Sequence, residues 1–208
     1  MSQSVPERCP DAIETARLWI RPPRPGDGAE VNAAIRETYD DLHAWMVWAD
    51  HVPSVEETEA HCQGACTNFE KGQDFTLQAY LKDGRTAVVR AGLHPRDWKV
   101  PSFEIGYWCR ASFQGQGYVT EAVHAITHTG FEILGANRIE IRCDPHNVRS
   151  RGVAERVGYR LEAELRNEQV GPDGNIRNTL IYALCPDEYE RMKAEIGAGV
   201  RFVFTTSS

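Results

Sequence analysis

The sequence predicts one α/β (α+β) domain, with a mixed and mostly antiparallel central sheet flanked by helices. Segments in which apolar and polar residues alternate, as in strands, are interspersed with segments of helical spacing, and glycine-containing turns separate them. No internal repeat, low-complexity tract or shift in composition divides the 208 residues, which are enough for one sizeable core. We expect the domain to span 11–198, with terminal tails at 1–10 and 199–208.

The first half of the chain predicts a strand, two helices and a hairpin. The second helix begins with Ser54 and Glu57, whose spacing is that of a capping box. The hairpin turn contains Asp83 and Gly84, a dipeptide that favours tight turns. In chain order, these elements are predicted at 17–24 (strand), 26–38 and 54–71 (helices), and 74–81 and 85–93 (strands).

The second half predicts alternating strands and helices before a final hairpin and helix. A helix connects the strands at 102–110 and 137–143, so we expect these two strands to pair in parallel. Short connections elsewhere favour antiparallel pairing. The remaining elements are predicted at 118–134 and 148–157 (helices), 159–168 and 176–185 (strands), 186–196 (helix) and 201–204 (a short tail).

Composition and charge argue against several classes of protein. No apolar run is long enough to span a bilayer, and residues 1–10 lack the features of a secretory signal. The six cysteines are scattered and do not form a disulfide framework, so we expect a cytoplasmic protein. The net charge of -7 disfavours direct binding to nucleic acid. Eight acidic residues and no Lys or Arg lie between 37 and 70, which indicates either a solvated helical face or a surface that attracts a cationic acceptor.

A glycine-containing loop separates the strand at 102–110 from the following helix. Gly115 and Gly117 free the backbone there, so that amide groups at the helix N-terminus can approach an anion such as a phosphate. The same arrangement also serves simply to turn the chain. Two glycines are too few for the Rossmann dinucleotide-binding fingerprint. The Gly-Lys-Ser/Thr ending of the P-loop is missing as well, which argues against an NTPase.

Two blocks of sequence begin in the strands predicted at 102–110 and 137–143. They are EIGYWCRASFQGQGYVTEAV and NRIEIRCDPHNVRSRGVAERVGY, and the segment WMVWA lies at 45–49. In these blocks the chain resembles the GNAT family of N-acetyltransferases, especially its RimJ/RimL-type branch, which acetylates the N-termini of ribosomal proteins, and the segment at 45–49 adds support. The resemblance covers most of the chain. It implies a sheet with a splayed strand pair that holds acetyl-CoA, and an acetyl transfer to a primary amine by direct attack in a ternary complex.

The resemblance places acetyl-CoA between the strands at 104–110 and 138–143. It implies pantetheine contacts along Tyr107, Trp108 and Cys109. The last position of the family's loop pattern is Val119 here instead of Gly or Ala, and this β-branched side chain adds bulk near the pyrophosphate. The remaining cofactor contacts implied by the resemblance are Gln114, Gly115, Gln116, Gly117, Tyr118, Val119, Thr120 and Asn147.

The resemblance also implies the catalytic residues. Ser150 is the expected general acid, because Ala154 occupies the position where much of the family has a tyrosine. Glu104 is the expected general base, and Glu168 is the alternative. Without the resemblance, Asn147 and Ser150 at the start of a helix would be interpreted as helix-capping residues. Glutamates at strand ends would be interpreted as exposed to solvent with no catalytic role.

The acceptor is less constrained than the donor. Trp45, Trp48, His43 and His51 are the predicted lining of the acceptor groove, although aromatic residues between helices more often fill the core. His124 and His128 are predicted on a helix surface with no metal bound. A protein N-terminal α-amine, first of all that of a ribosomal protein, is the expected acceptor. A polyamine, an aminoglycoside and a non-catalytic acyl-CoA sensor are the alternatives. The resemblance also suggests a homodimer.

Overall fold

The described part of the chain is built on a nine-stranded sheet with five α-helices. The computed structural model describes residues 9–205, so that 1–8 and 206–208 of the predicted tails lie outside the described residues. The elements are β1 (Ala12–Glu14), β2 (Leu18–Arg21), α1 (Gly28–Trp45), α2 (Val55–Glu70), β3 (Phe75–Leu81), β4 (Ala87–Asp97), β5 (Ser102–Cys109), α3 (Tyr118–Glu132), β6 (Arg138–Cys143), α4 (Val148–Arg156), β7 (Arg160–Val170), β8 (Ile176–Leu184), α5 (Pro186–Ile196) and β9 (Arg201–Val203).

The sheet is mixed and mostly antiparallel, as the sequence predicts. Its strand order is β7-β8-β6-β5-β4-β3-β2-β1-β9, and β5 and β6 form the one parallel pair among the described strands. Their register ends at the pair Glu104 and Glu140, although β5 continues to Cys109 and β6 to Cys143. The two strands therefore separate beyond Glu104, which opens a gap in the middle of the sheet.

Helices cover both faces of the sheet. One face carries the main core, where Ala91 and Ile105 pack with Val123 and Ile126 of α3. Side chains alternate between faces along a strand, so Trp108 points to the opposite face. There it packs against a second apolar cluster from α1 and α2, which includes Leu42 and Cys62. The gap between β5 and β6 is thus bordered by helices on both sides.

Two local signals in the sequence have the predicted structural effect. The Ser54 hydroxyl accepts a hydrogen bond from the amide of Glu57, and the Glu57 carboxylate accepts one from the amide of Ser54, which completes the capping box of α2. In the β3–β4 turn, Gly84 has a φ of 69°, and the Asp83 carboxylate accepts from the amides of Arg85 and Thr86. These contacts fix the register of the hairpin that carries β4.

The C-terminal boundary and one predicted helix surface differ from the sequence analysis. Residues 201–203 of the predicted tail form β9, which pairs with β1 at the sheet edge. A three-residue strand is too short to show a period. His128, predicted on a helix surface, is partly buried, and its ring shares a hydrogen bond with the Tyr189 hydroxyl at 2.6 Å and stacks on Phe202. His124, one turn earlier, is also partly buried.

The first helix extends further than the sequence predicts. It was expected to end at residue 38, but α1 continues to Trp45 because Leu42 is buried in the second cluster and keeps the helical spacing. The aromatic segment at 45–49 therefore starts in the last turn of α1. This extension brings Trp45 to the gap between the strands.

Gly130 allows α3 to pack closely on the sheet. A methyl group at this position would lie 2.5 Å from Ile139 Cδ1 and 3.2 Å from Leu93 Cδ2. We expect Gly130→Val to lower the free energy of unfolding by about 1–3 kcal/mol through overpacking. Urea denaturation measures the change. Gly64→Ala is the control, because Gly64 of α2 has open space around it and alanine favours a helix there, so this variant is expected to be at least as stable as wild type.

Candidate active site

A cavity of about 670 Å³ lies at the gap between β5 and β6, within the size range of small-molecule pockets. Its walls come from α1, the separated end of β5, the loop before α3, the first turn of α3 and one side of α4. Most of the residues predicted from the sequence contribute to its lining. They are Trp45, Tyr107, Trp108, Cys109, Gln114, Gly115, Gly117, Tyr118, Val119, Thr120, Asn147 and Ser150.

The loop before α3 has the backbone conformation that an anion site requires. Gly115 and Gly117 have φ values of 72° and 81°, in the left-handed region that favours glycine. The amide of Glu121 is the first to bond within the helix, to the carbonyl of Gly117. The amides of 118–120 precede it at the helix N-terminus, where backbone N–H groups have no intrahelical acceptor. They are therefore available to phosphate oxygens.

The start of the chain holds this loop in place. The Glu121 carboxylate accepts hydrogen bonds from the Thr15 hydroxyl at 2.6 Å and from the Arg17 amide at 2.9 Å. Arg17 also donates to the carbonyl of Gln116 at 2.8 Å, and its guanidinium lies 4.3 Å from the centre of the Tyr118 ring. Burial alone would raise the pKa of Glu121, but the bonds from Thr15 and Arg17 outweigh it and lower the pKa.

Two loop residues behave differently from the rest. Gln116 does not line the cavity, and its side-chain amide donates to the carbonyl of Ser112, so its contribution is to the loop's shape. Val119 lines the cavity and also packs against the main core. Part of the bulk that distinguishes it from the family pattern is therefore accommodated by the core.

The mouth of the cavity carries cationic side chains that the sequence analysis missed. Arg149 of α4 bonds to Asp41 of α1 at 3.1 Å and to the Gln114 side chain at 3.0 Å, and Gln114 in turn donates to Asp41 at 2.8 Å. Arg156, seven residues later on α4, also lines the cavity. Seven residues are close to two helical turns, so this spacing of two arginines is the signal that could have indicated a phosphate contact.

A pair of hydroxyl groups lies deeper in the cavity. The Tyr107 hydroxyl donates to the backbone carbonyl of Ser150 at 2.9 Å, and the two hydroxyl oxygens are 3.1 Å apart. Burial raises the pKa of Tyr107. Asn147 is the N-cap of α4, and its side chain accepts from the Ser150 amide at 3.0 Å. Asn147 thus positions Ser150, as its capping interpretation predicts, while its side chain still borders the cavity.

Comparison with known proteins identifies the family. A family profile described as an acetyltransferase (GNAT) domain matches residues 17–160, more than half of the chain. The chain belongs to the GNAT acetyltransferases. It is 34% identical over 176 residues to YdaF of Bacillus subtilis (strain 168), provisionally named a ribosomal N-acetyltransferase, with 85% of this chain and 95% of the relative covered.

Two further comparisons agree. The GNAT domain is 29% identical over 129 residues to the ribosomal-protein-serine acetyltransferase of Escherichia coli (strain K12), covering 62% of this chain and 70% of that protein. The structure of Mycobacterium smegmatis RimJ in complex with CoA-disulfide has the same fold, with a TM-score of 0.78 at 23% identity over 93% of this chain and 97% of that one. The predicted family, enzyme class and RimJ/RimL-type branch are confirmed.

The two glutamates predicted as bases of the GNAT domain lie outside the cavity lining. Glu104 is on β5 at the last pair before the gap, and one of its oxygens accepts from Arg96 at 3.1 Å. Glu168 is on β7, where Arg142 and Thr179 donate to its two oxygens at 2.6 and 2.7 Å. The structure therefore does not bring either carboxylate to the Tyr107–Ser150 hydroxyl pair.

The two predicted acceptor tryptophans are separated. Trp45 lines the cavity, and the Arg177 guanidinium lies 5.7 Å from the centre of its ring. Arg177 also donates to the carbonyl of Ala44 and to Asp144, both at 3.3 Å, so it links the β7–β8 hairpin to the end of α1. Trp48 is half exposed and does not line the cavity.

Several acids between 37 and 70 have partners within the GNAT domain. Hydrogen bonds from Ser112 and Arg110 lower the pKa of Glu37 to about 2, and Glu59 accepts from the amides of Gly26 and Gly28. These acids have contacts that stabilise the fold, as the interpretation without an acceptor role predicts. Among residues 9–205 there is no group of three or more His, Cys, Asp or Glu that could hold a metal ion, and no helix there is long and apolar enough to cross a membrane.

Proposed function

We propose that this GNAT domain transfers acetyl from acetyl-CoA to a primary amine by direct attack in a ternary complex, and that the amine is a protein N-terminal α-amine. The observation that carries the proposal is the cavity, which is continuous from the glycine loop at α3 to the hydroxyl pair of Tyr107 and Ser150. One end suits a pyrophosphate and the other offers a proton donor.

The chemistry of the lining fits acetyl-CoA. Amide groups at the N-terminus of α3, with the guanidinium groups of Arg149 and Arg156, suit the phosphates. The backbone of β5 from Tyr107 to Cys109 has left the β6 register, so its peptide groups on that side are free for the amides of pantetheine. Acetyl-CoA brings an activated thioester, and the protein residues orient it.

The states of the cysteines support direct attack over a covalent acetyl-enzyme. Cys109 lines the cavity and Cys143 lies at the end of β6 near Ser150. Burial raises the pKa of each thiol to about 11. Because the thiolate is the nucleophile, thiols that are almost wholly protonated at neutral pH are poor acetyl carriers.

Ser150 is the proposed general acid for the departing thiolate. The Ser150 hydroxyl lies beside that of Tyr107. Tyr107 thus supplies a phenol next to Ser150, whereas the position where much of the family has a tyrosine is the buried Ala154. Of the two glutamates expected as the base, the surroundings favour Glu104 over Glu168. Protein donors engage both oxygens of Glu168, whereas one oxygen of Glu104 has no partner in the described chain.

The names of the relatives support a ribosomal protein as the acceptor. YdaF and the Escherichia coli enzyme are both named for ribosomal acetylation. A ribosomal acceptor would place the reaction in the cytoplasm. A polyamine, an aminoglycoside and a non-catalytic acyl-CoA sensor remain the competing functions, and the homodimer suggested by the resemblance stays a prediction.

Calorimetry with acetyl-CoA, followed by a thiol-release assay on the same protein, tests the proposal. The acceptors are synthetic peptides with the N-terminal sequences of ribosomal proteins, the same peptides with blocked N-termini, spermidine and kanamycin. We expect binding of acetyl-CoA and release of thiol with free peptides only. Release with spermidine or kanamycin alone would instead support a small-molecule enzyme. Binding without release would support a sensor, and an absence of binding would refute acetyl transfer.

A further inference from the structure

His94 and Asp74 form a hydrogen-bonded pair on the sheet face that α1 and α2 cover. Nδ1 of His94 lies 2.5 Å from Oδ1 of Asp74, and the other oxygen of Asp74 accepts from the Thr76 hydroxyl at 2.5 Å. A carboxylate at Nδ1 holds the ring in the tautomer that donates from Nδ1. Nε2 is then left with its lone pair.

Two glycines make room for this ring. Gly92 of β4 pairs with Gly106 of β5, so neither strand has a side chain at this point on the face. A Cβ atom at Gly92 would lie 2.6 Å from both Cε1 and Nε2 of His94, and one at Gly106 would lie 3.6 Å from Nε2. The imidazole thus occupies the space above the two glycines. No hydrogen bond to Nε2 is formed by residues 9–205.

This position is next to the end of the gap where the acetyl group is expected. Gly106 directly precedes Tyr107, the first residue of β5 in the cavity lining, and β5 leaves β6 just after Glu104. Neighbouring residues of a strand point to opposite faces, so His94 and the Tyr107–Ser150 pair lie on opposite faces at the same point of the sheet. His94 does not itself line the cavity. It would therefore be reached by an acceptor amine that approaches the gap from the α1 and α2 face.

We propose that His94, held by Asp74, takes the proton of the acceptor amine as the base in place of Glu104, which is its neighbour on the adjacent strand. This inference rests on the proposed function, because it assigns a residue to the same reaction. It gives the two faces of the sheet different tasks. Deprotonation of the amine occurs on the His94 face, and protonation of the leaving thiolate occurs on the Ser150 face.

The proton balance is complete with these residues. Nε2 of His94 takes one proton from the ammonium group, and the neutral nitrogen attacks the thioester carbonyl to form the new C–N bond. The C–S bond then breaks. The Ser150 hydroxyl gives its proton to the thiolate. The nitrogen then loses its second proton, which restores the Ser150 hydroxyl. The products are the acetylated amine, CoA as a thiol, and an imidazolium that returns its proton to water.

Several charged groups surround the His94–Asp74 pair. Burial would raise the pKa of Asp74, but the bonds from His94 and Thr76 outweigh it, so the pKa is lowered and the carboxylate stays charged at neutral pH. Glu104 faces His94 across the strand pair. The opposing groups are Arg96, which is paired with Glu104, and His61 of α2 and Arg90 of β4, both of which interact electrostatically with Asp74.

The decisive measurement is the pH dependence of kcat/KM for His94→Gln and wild type, with the peptide that gives wild type the fastest thiol release. At pH 7 an N-terminal amine with a pKa of about 8 is mostly protonated, so the variant should be slower by about 100-fold. Near pH 9.5 the amine is mostly neutral in solution and does not need a base. The deficit should then shrink to less than about 10-fold.

Two further variants separate catalysis from structure. Asp74→Asn should lower kcat/KM at neutral pH less than His94→Gln does, and Gly92→Ala, which moves the ring without removing it, should also lower it. His124→Gln is the control, because His124 of α3 lies on the other face of the sheet from His94 and does not line the cavity, and this variant should match wild type. The affinity for acetyl-CoA should be unchanged in all four variants.

The outcomes are distinguishable. A His94→Gln deficit that is absent or equal at all pH values, in a protein that still binds acetyl-CoA, would overturn the role of His94 and leave the proposed function intact. A wild-type protein that binds acetyl-CoA but acetylates no amine would overturn the proposed function and this inference together.

Discussion

Replacing Gly117 with tryptophan should abolish acetyl-CoA binding at accessible concentrations, with Kd raised by roughly 100-fold or more, equivalent to about 2.8 kcal/mol. Gly117 has a φ of 81°, which a residue with a side chain rarely adopts, so the loop must change shape. The indole would also enter the cavity at the amides that suit the pyrophosphate. Calorimetry with acetyl-CoA measures the loss.

Gly84→Trp is the matched control for this experiment. Gly84 has a φ of 69° in the β3–β4 turn, and a Cβ atom there meets nothing within 4 Å. The control therefore carries the same backbone strain and the same side chain far from the cavity. We expect it to bind acetyl-CoA as wild type does. If Gly117→Trp bound with unchanged affinity while folded, the assignment of the pyrophosphate to the loop at α3 would be wrong.

Removing the Ser150 hydroxyl should lower kcat by about 100-fold, the lower part of the range for general acid–base catalysis. Ser150→Ala leaves the thiolate without its proton donor, and the Tyr107 hydroxyl loses one of its two partners. The affinity for acetyl-CoA should change little, because the amides and arginines that suit the phosphates are untouched. Steady-state kinetics at saturating acetyl-CoA separate the two effects.

A double-mutant cycle shows whether the two hydroxyl groups act as a unit. Tyr107→Phe alone should lower kcat less than Ser150→Ala, and the double variant should be about as slow as Ser150→Ala, because one donor is lost in both cases. Ser102→Ala, at the other end of β5, is the control and should leave kcat unchanged. Strictly additive losses would mean that Tyr107 and Ser150 act independently.

Most of the fold follows from local signals in the sequence. The capping box at Ser54, the Asp83-Gly84 turn and the helical connection between β5 and β6 each specify structure within a few residues, and the structure agrees with each. The extension of α1 and the strand β9 depend on distant contacts. Trp45 is helical because Leu42 packs in a cluster with α2, and β9 exists because it pairs with β1.

The residues of the site also fall into those that local sequence predicts and those that depend on distant contacts. The predicted site residues within the two blocks that resemble the family lie close together along β5, the loop before α3, α3 and α4, and most of them line one cavity. The contacts that link different parts of the chain carry no local pattern. His94 and Asp74 are 20 residues apart, and Arg149 and Asp41 are 108 apart. The placement of Trp48 also depends on where α1 ends, which the sequence analysis set seven residues too early.

The attachment of the glycine loop to the start of the chain affects when the loop becomes ordered during folding. Thr15 and Glu121 are separated by 106 residues, so their contact is among the non-local ones that cost the most loop-closure entropy. An isolated peptide containing 113–121 lacks this contact, so nothing outside the peptide stabilises the loop conformation. We therefore expect the anion site to form only once the first strands have joined the sheet, so that a partly folded chain lacks a formed site for the acetyl donor.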